Sequence, residues 1–333
     1  MKERAQVLSR QGPAEGRPLE IREHPAEEPV AGEVLLRVRA CGLCRTDLHV
    51  VEGDLPARRL PLVPGHQIVG TVERLGPAVA GLNPGDRVGV GWMHSTCGSC
   101  PFCTGGQENL CPGARFTGWD ADGGFAGWVR APAAFAFPLP GRYSDAEAAP
   151  LLCAGIIGYR SLKLAGFGPG RLLGLFGFGA SAHLALQAAV RRGCTVAVVS
   201  RGESHRRLAE DLGARWTAEP GRPLPRPLDA AVVFAPAGAA VREALQAVRP
   251  GGVVAVNAVT LDALPAMPYG ILYGERVLRS VANYTRADAR EFLEMAGASP
   301  FRVEAEIFPL EQANEALLRL KRRELRAAAV LVP

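Results

Sequence analysis

The sequence has no apolar run of the roughly 18 residues needed to span a bilayer, so it offers no candidate membrane helix. Its first residues, MKERAQVLSR, contain no apolar h-region. No secretory signal is visible, and a cytoplasmic location is expected. Lysine is nearly absent, with Lys2, Lys163 and Lys321 as its only instances, so the net charge of +5 comes from arginine. Those charges are interleaved with acids and form no basic stripe, so neither a nucleic-acid nor a membrane-surface role is expected. Internal repeats and low-complexity segments are missing too. Asn, Gln and Met are few beside abundant Arg and Pro, a balance that fits a GC-rich or heat-adapted source. What is present is ordinary for a soluble globular protein: 333 residues, 48% hydrophobic and 21% charged, too apolar for disorder and long enough for about two domains.

The texture changes near residue 145. Before it, short β-like runs at 33–40, 68–75 and 86–90 are punctuated by turn signals such as Gly76-Pro77 and Asn83-Pro84-Gly85-Asp86. This part reads as β-rich and antiparallel. After it, a helical stretch is expected over 145–164, then a buried-type strand at 171–176 and a helix over 180–192. A strand at 195–200, a helix over 203–212 and strands at 230–234 and 252–257 continue the alternation. Strand and helix in turn imply parallel βαβ units. The Pro-rich stretch 219–228 reads as a loop, 287–296 and 310–320 as helices, and 328–332 as a closing strand.

Eight cysteines stand at 41, 44, 97, 100, 103, 111, 153 and 194. An even count raises the possibility of disulfides, but a chain of this length without a signal peptide is a poor candidate for a disulfide framework. Cys97, Cys100, Cys103 and Cys111 are tightly clustered, and four such thiolates close a tetrahedral shell around one ion. A closed shell leaves no open position, so this pattern indicates structural zinc. An iron–sulfur cluster also takes four cysteines, but C-x2-C-x2-C-x7-C matches neither common ferredoxin spacing. Four unrelated loop thiols are the bland alternative.

Gly177-Phe178-Gly179-Ala180-Ser181-Ala182 follows the expected strand and opens the next helix. In that context the first glycine makes the turn, the second lets backbone approach a pyrophosphate, and Ala182 allows close helix–strand packing. A ligand-free glycine turn is the alternative. The end of the second strand, Val199-Ser200-Arg201, carries no acid for a ribose hydroxyl. Ser200 and Arg201 suit a 2′-phosphate, a slight lean to NADP(H), although Glu203 stands two residues further on and Arg201 also reads as a solvated loop charge.

Three more residues are unremarkable singly: Cys44, His66 and Cys153. Together two sulfurs and an imidazole form the ligand set of a catalytic zinc with its fourth position open. At this point the chain resembles the zinc-dependent medium-chain alcohol dehydrogenases, nearest the group that includes the yeast enzymes. The resemblance rests on CGLCRTDLH (41–49), PGHQIVG (64–70), NPGDRV (83–88), CGSCPFCTGGQENLC (97–111), LLCAGIIGYRSLK (151–163) and GFGASAH (177–183), in family order and spacing.

The resemblance implies an α/β protein. A GroES-like β-rich catalytic domain would span 1–148 and 283–333, with a structural zinc lobe near 95–113. A Rossmann doubly wound parallel sheet would span 149–282, with the active site in the cleft. It implies two zinc ions per chain and NAD(P) as cofactor. The substrate would be a small alcohol, or its aldehyde or ketone, and the enzyme a homodimer or homotetramer. It assigns Cys44, His66 and Cys153 to catalytic zinc, and Cys97, Cys100, Cys103 and Cys111 to structural zinc. Asp47 would orient His66, and Arg45 would contact the pyrophosphate. Thr46 would hydrogen-bond the substrate oxygen, and His49 would end a proton relay through the cofactor ribose. Cys41 and Cys194 read as core thiols. Taken alone, Thr46 and Asp47 also suit cap or turn roles and His49 a surface position.

Three departures from the family pattern stand out. Gln67 replaces the usual glutamate behind the zinc and leaves the site one charge more positive. Leu55 replaces a tryptophan of small-alcohol members while Trp92 is kept and Trp119 lies nearby, so an apolar pocket wider than an ethanol-only site is expected. Ala328 stands where the family has an arginine, with Arg326 close by. The rival readings are a zinc-free quinone or enoyl reductase on the same fold, and a non-catalytic NAD(P)-binding sensor or a storage protein.

Overall fold

The computed structural model describes residues 2–325 and 327–333, with Lys2 described by its backbone alone; Arg326 therefore lies outside the described residues. The chain divides into two compact units, Met1–Cys153 with Tyr284–Pro333, and Ala154–Asn283. Among the described residues no helix is long and apolar enough to cross a membrane.

The first unit is built on a seven-stranded sheet. Its path runs Ala305–Pro309, Ala328–Val332, Glu33–Leu43, Gln67–Leu75, Arg87–Val90 and Ala136–Pro138, with Trp128–Pro132 pairing on Glu33–Leu43 off that path. All pairings are antiparallel except the first, between Ala305–Pro309 and Ala328–Val332. Leu36, Val38, Ile68, Val88 and Phe125 fill its core. The N-terminal hairpin, Lys2–Leu8 against Leu19–Pro25, is a further sheet that the residue patterning did not announce, because its second strand is mostly exposed.

The second unit holds six parallel strands in the spatial order Trp216–Ala218, Thr195–Val199, Leu172–Phe176, Leu228–Val233, Val248–Val256 and Val277–Ser280. Numbered within this unit the order is 3-2-1-4-5-6, the dinucleotide-binding arrangement, with its switch point between the first and fourth strands. Leu172–Phe176 is buried throughout, as expected for a strand covered on both faces. Phe176, Val199, Leu245 and Val254 belong to the core of this unit.

One expected element is broken. The stretch 145–164 is not a continuous helix: a single turn, Asp145–Ala148, tightens into a 3-10 segment, Ala149–Leu152, and a helix restarts at Ala154–Ala165. Pro150 has no N–H for a continuous helix, and its ring crowds the preceding turn. Cys153, at φ −125° and ψ −74°, leaves helical geometry altogether. The break frees Cys153 from any helix face.

Candidate metal centres and dinucleotide loop

Strand Glu33–Leu43 delivers the chain to Cys44, which sits in extended backbone as the N-cap of helix Arg45–Glu52. The Cys44 N–H donates to Asp47 Oδ2 at 2.8 Å, and the Thr46 N–H donates to Cys44 Sγ at 3.4 Å. Asp47 thus caps the helix with one oxygen, supplying an acceptor where the fold leaves orphan donors. Its other oxygen, Oδ1, lies 2.9 Å from His66 Nδ1, and the two side chains are 2% and 1% exposed.

His66 reaches this place through Gly65, at φ +100°. A Cβ there would meet the Phe125 ring at 2.4 Å and Cys41 Sγ at 2.9 Å, so only glycine fits. With Nδ1–H donated to Asp47, the Nε2 lone pair faces Cys44 Sγ at 3.5 Å and Cys153 Sγ at 3.4 Å. Zinc bonds of about 2.3 Å to sulfur and about 2.0–2.1 Å to nitrogen give a tetrahedral N···S edge of about 3.5 Å. Both N···S separations therefore already match the edges such an ion requires, and all three donor atoms lie within 4.8 Å of one another.

The electrostatics point the same way. Burial alone would lower His66, but Asp47 and Cys44 outweigh it and push its pKa up to about 10. Burial raises the Asp47 carboxyl. A hydrogen bond from Cys153, helped by His66, holds the Cys44 thiol well below its usual range and drives Cys153 well above its own. Without metal the cluster thus draws a proton to hold its anionic groups together, and a divalent cation satisfies the same demand.

The second cysteine group is equally compact, with all four Sγ atoms within 4.8 Å of one another. The Sγ separations are 3.5 Å for Cys100–Cys103, 3.6 Å for Cys97–Cys111 and 3.9 Å for Cys97–Cys103. A tetrahedral zinc shell has S···S edges of about 3.8 Å, whereas a disulfide needs about 2.05 Å. All eight cysteines are free thiols, which removes the disulfide alternative. Backbone N–H groups of Ser99 and Cys100 pull the Cys97 thiol down to about 6. Cys41 and Cys194 are buried outside both groups.

Around the Cys44–His66–Cys153 group, Trp92 stands edge-on to His66 with centroids 5.0 Å apart and stacks on Phe116 at 5.2 Å and Trp119 at 5.9 Å. Leu55 packs against the same core as both tryptophans. Arg58 lies 4.0 Å from the Trp119 ring centre and pairs with Asp120 at 3.1 Å. Thr46 and His49 are both half-buried and one turn apart on helix Arg45–Glu52, with Arg45 exposed at its start. His49 Nδ1 lies 2.7 Å from Asp54 Oδ2. Asp54, Phe116 and Arg58 escaped the sequence reading. Gly53, which ends the helix at φ +93° and turns Asp54 back toward His49, was the one signal available for Asp54. Gln67 is buried, and its Nε2 has no hydrogen-bond partner.

In the second unit Gly177 takes φ +92°, and a Cβ there would fall 2.7 Å from the Ala235 nitrogen. Gly179 is the N-cap of helix Ala180–Arg191 and has no side-chain cap; nothing lies within 4 Å of where its Cβ would be. Uncapped N–H groups beside open space are what an anionic pyrophosphate needs. Ala182 is fully buried. Ser200 is buried at the end of strand Thr195–Val199, and Arg206 fixes the turn by donating to the carbonyls of Ser200 at 2.8 Å and Arg201 at 2.9 Å. Arg201 is exposed, and Glu203 is engaged by Arg207.

Two family models match this chain: "Alcohol dehydrogenase GroES-like domain" over residues 30–141 and "Zinc-binding dehydrogenase" over 182–298. The chain is 47% identical over 331 residues to "Probable alcohol dehydrogenase AdhA" of Mycobacterium tuberculosis (strain CDC 1551 / Oshkosh), covering 98% of this chain and 96% of that one. It is 35% identical to an alcohol dehydrogenase of Geobacillus stearothermophilus, covering 95% and 96%. It also superimposes with a TM-score of 0.89, at 26% identity and full coverage of both chains, on a cobalt- and zinc-bound thermostable alcohol dehydrogenase from Pyrobaculum aerophilum. The chain belongs to the zinc-dependent medium-chain alcohol dehydrogenase family.

Asp47→Asn removes the carboxylate that both caps the helix and orients His66. Zinc affinity at the three-ligand site is expected to fall about 10–100-fold, measured by competition with a chromophoric chelator. Unchanged affinity would show that Asp47 does not hold the ligand set.

Proposed function

We propose that the protein oxidises small alcohols with NAD(P), and reduces the corresponding aldehydes or ketones, at a zinc held by Cys44, His66 and Cys153. The observation that carries this reading is the open three-donor set, with N···S edges of 3.4 and 3.5 Å and its imidazole locked by Asp47. When bound, zinc supplies Lewis acidity that eases ionisation of an alcohol hydroxyl, and the nicotinamide supplies the hydride acceptor.

The chain's own residues supply the rest. Asp47 holds the Nδ1 side of His66 and so directs Nε2 at the site, where zinc would take the place of a proton. Thr46 would hydrogen-bond the substrate oxygen and pass its own proton on as it receives the substrate's, and His49, steadied by Asp54, is the base at the outer end that returns a proton to solvent. Leu55, Trp92 and Trp119 form an apolar wall that excludes water and admits chains longer than ethanol. The neutral Gln67 leaves the site one charge more positive than a glutamate would, which favours the ionised alcohol. A second zinc in the Cys97–Cys100–Cys103–Cys111 lobe has a closed shell and a structural role. The three-donor set speaks against a zinc-free reductase, whose chemistry needs no such ligands.

Gly177, Gly179 and Ala182 cradle the pyrophosphate. Ser200 and Arg201 favour the 2′-phosphate of NADP, since the nearby acid, Glu203, is taken up by Arg207. The edge strand Val277–Ser280, with exposed Val277, Tyr269, Leu272 and Tyr273 beside it, suits a homo-oligomer. Thiol ligand sets suit a reducing compartment such as the cytoplasm.

Metal analysis combined with turnover tests the main reading. Two zinc ions per chain and alcohol-dependent NAD(P)H formation are expected, with kcat/KM rising from ethanol to hexanol or benzyl alcohol. One zinc and no turnover would overturn the reading in favour of a nucleotide sensor. For the cofactor, Arg201→Ala is expected to lower kcat/KM for NADP about tenfold while leaving NAD unaffected. Equal loss with both cofactors, or none, would remove the NADP preference.

A further inference from the structure

One charged side chain beside the three-donor group is used by none of the chemistry above. Arg58 is half-exposed, and its guanidinium donates to both oxygens of Asp120, at 3.1 and 3.3 Å. The Asp120 side chain is only 10% exposed, and its Oδ2 also accepts the Phe116 N–H at 2.9 Å. An ion pair with one partner in water contributes little to stability by itself. Its geometric effect is larger. It sets the guanidinium 4.0 Å from the centre of the Trp119 ring and 5.9 Å from that of Phe116. Both lie within about 6 Å, the reach of a cation–π contact, and tryptophan is the strongest aromatic partner for one.

The loop that carries Arg58 grips Trp119 at a second point. The Trp119 indole N–H donates to the Pro56 carbonyl at 3.1 Å, and the preceding residue, Leu55, is fixed by its N–H on the His49 carbonyl at 3.1 Å. The backbone beside Trp119 is held separately: a Cβ on Gly118 would fall 2.8 Å from the Gly65 nitrogen, so this turn packs directly on the one that presents His66. Trp92 meets the His66 ring edge-on at 5.0 Å, and Trp119 stacks on Trp92 at 5.9 Å. Trp92 is thus the ring beside the ligand, and Trp119 is one ring further out. An ethanol bound at the three-donor site meets the first, and a longer chain runs on to the second.

We propose that Arg58 is a positioning residue for substrate selectivity: anchored on Asp120, it pins the Trp119 ring and so sets the preference for longer over shorter alcohols. The proposal rests on the dehydrogenase reading above and assigns a role to a residue outside its chemistry. When the pin is removed the outer part of the wall is free to turn, and a long alkyl chain loses buried apolar contact. Ethanol does not reach that part. The effect falls on binding rather than on the reacting atoms, because Asp120, Phe116 and Trp119, the partners of Arg58, are neither metal ligands nor members of the proton relay.

The test uses the full-length, zinc-loaded protein. Arg58→Gln keeps a long side chain but removes the cation, and its zinc content and melting temperature are confirmed first. Ethanol and 1-hexanol are compared in steady-state turnover. Hexanol binding is also followed by tryptophan fluorescence without dinucleotide, a readout that needs no turnover. In Arg58→Gln the KM and the binding midpoint for hexanol are expected to rise about threefold to tenfold, with kcat for both alcohols and KM for ethanol unchanged. Because Arg58 acts through Trp119, its replacement is expected to cost nothing further in a Trp119→Leu background. Unchanged hexanol KM and binding, an equal rise for ethanol, or a further loss in the Trp119→Leu background would each overturn the proposal. Weaker hexanol binding in Arg58→Gln, together with no turnover of any alcohol by the wild type, would support the pinned wall and overturn the dehydrogenase reading instead.

Discussion

The two oxygens of one buried carboxylate hold the rest of the site in place. Asp47 Oδ2 closes the first turn of helix Arg45–Glu52 on the Cys44 N–H, and Oδ1 fixes the His66 ring. Helix start, thiol position and imidazole tautomer are thereby determined by the same side chain. A carboxylate at 2% exposure is costly to bury unless its partners are in place, so the arrangement is mutually conditional. The low Cys44 pKa and the high His66 pKa follow from that conditioning, and they describe a pocket that demands a cation.

The two sulfur-rich groups differ in a way that decides their chemistry. The Cys97–Cys111 lobe presents four thiols that use every corner of a tetrahedron. The Cys44–His66–Cys153 group presents three donors drawn from a helix cap, a glycine turn and a helix break. The second arrangement needs long-range folding to exist, whereas the first is nearly local, closed within fifteen residues of chain. The parallel 3-2-1-4-5-6 sheet adds a glycine loop with nothing within 4 Å of where a Gly179 Cβ would stand.

Much of this could be read from residues. The spacing of Cys97, Cys100, Cys103 and Cys111 is a local metal pattern, and the strand–glycine–helix context of Gly177–Ala182 is local as well. Cys44, His66 and Cys153 became meaningful only as a set, because each alone is an ordinary buried or turn residue. The break at Cys153 was hidden by the alanine-rich texture of 145–164, although Pro150 was in view. The N-terminal hairpin was missed because its outer strand buries little. His49–Asp54 and the Arg58–Trp119 stack join side chains across loops, where no periodicity reports the pairing.

The central claim is that the Asp47-held set binds zinc through two sulfurs and one nitrogen while the lobe binds another through four sulfurs. X-ray absorption at the zinc edge of the purified enzyme addresses it directly. The account predicts an average shell, per zinc, of about three sulfurs at about 2.3 Å and about one nitrogen or oxygen at about 2.0–2.1 Å. A shell of four sulfurs with no nitrogen or oxygen would mean that only the lobe holds metal, and would contradict it.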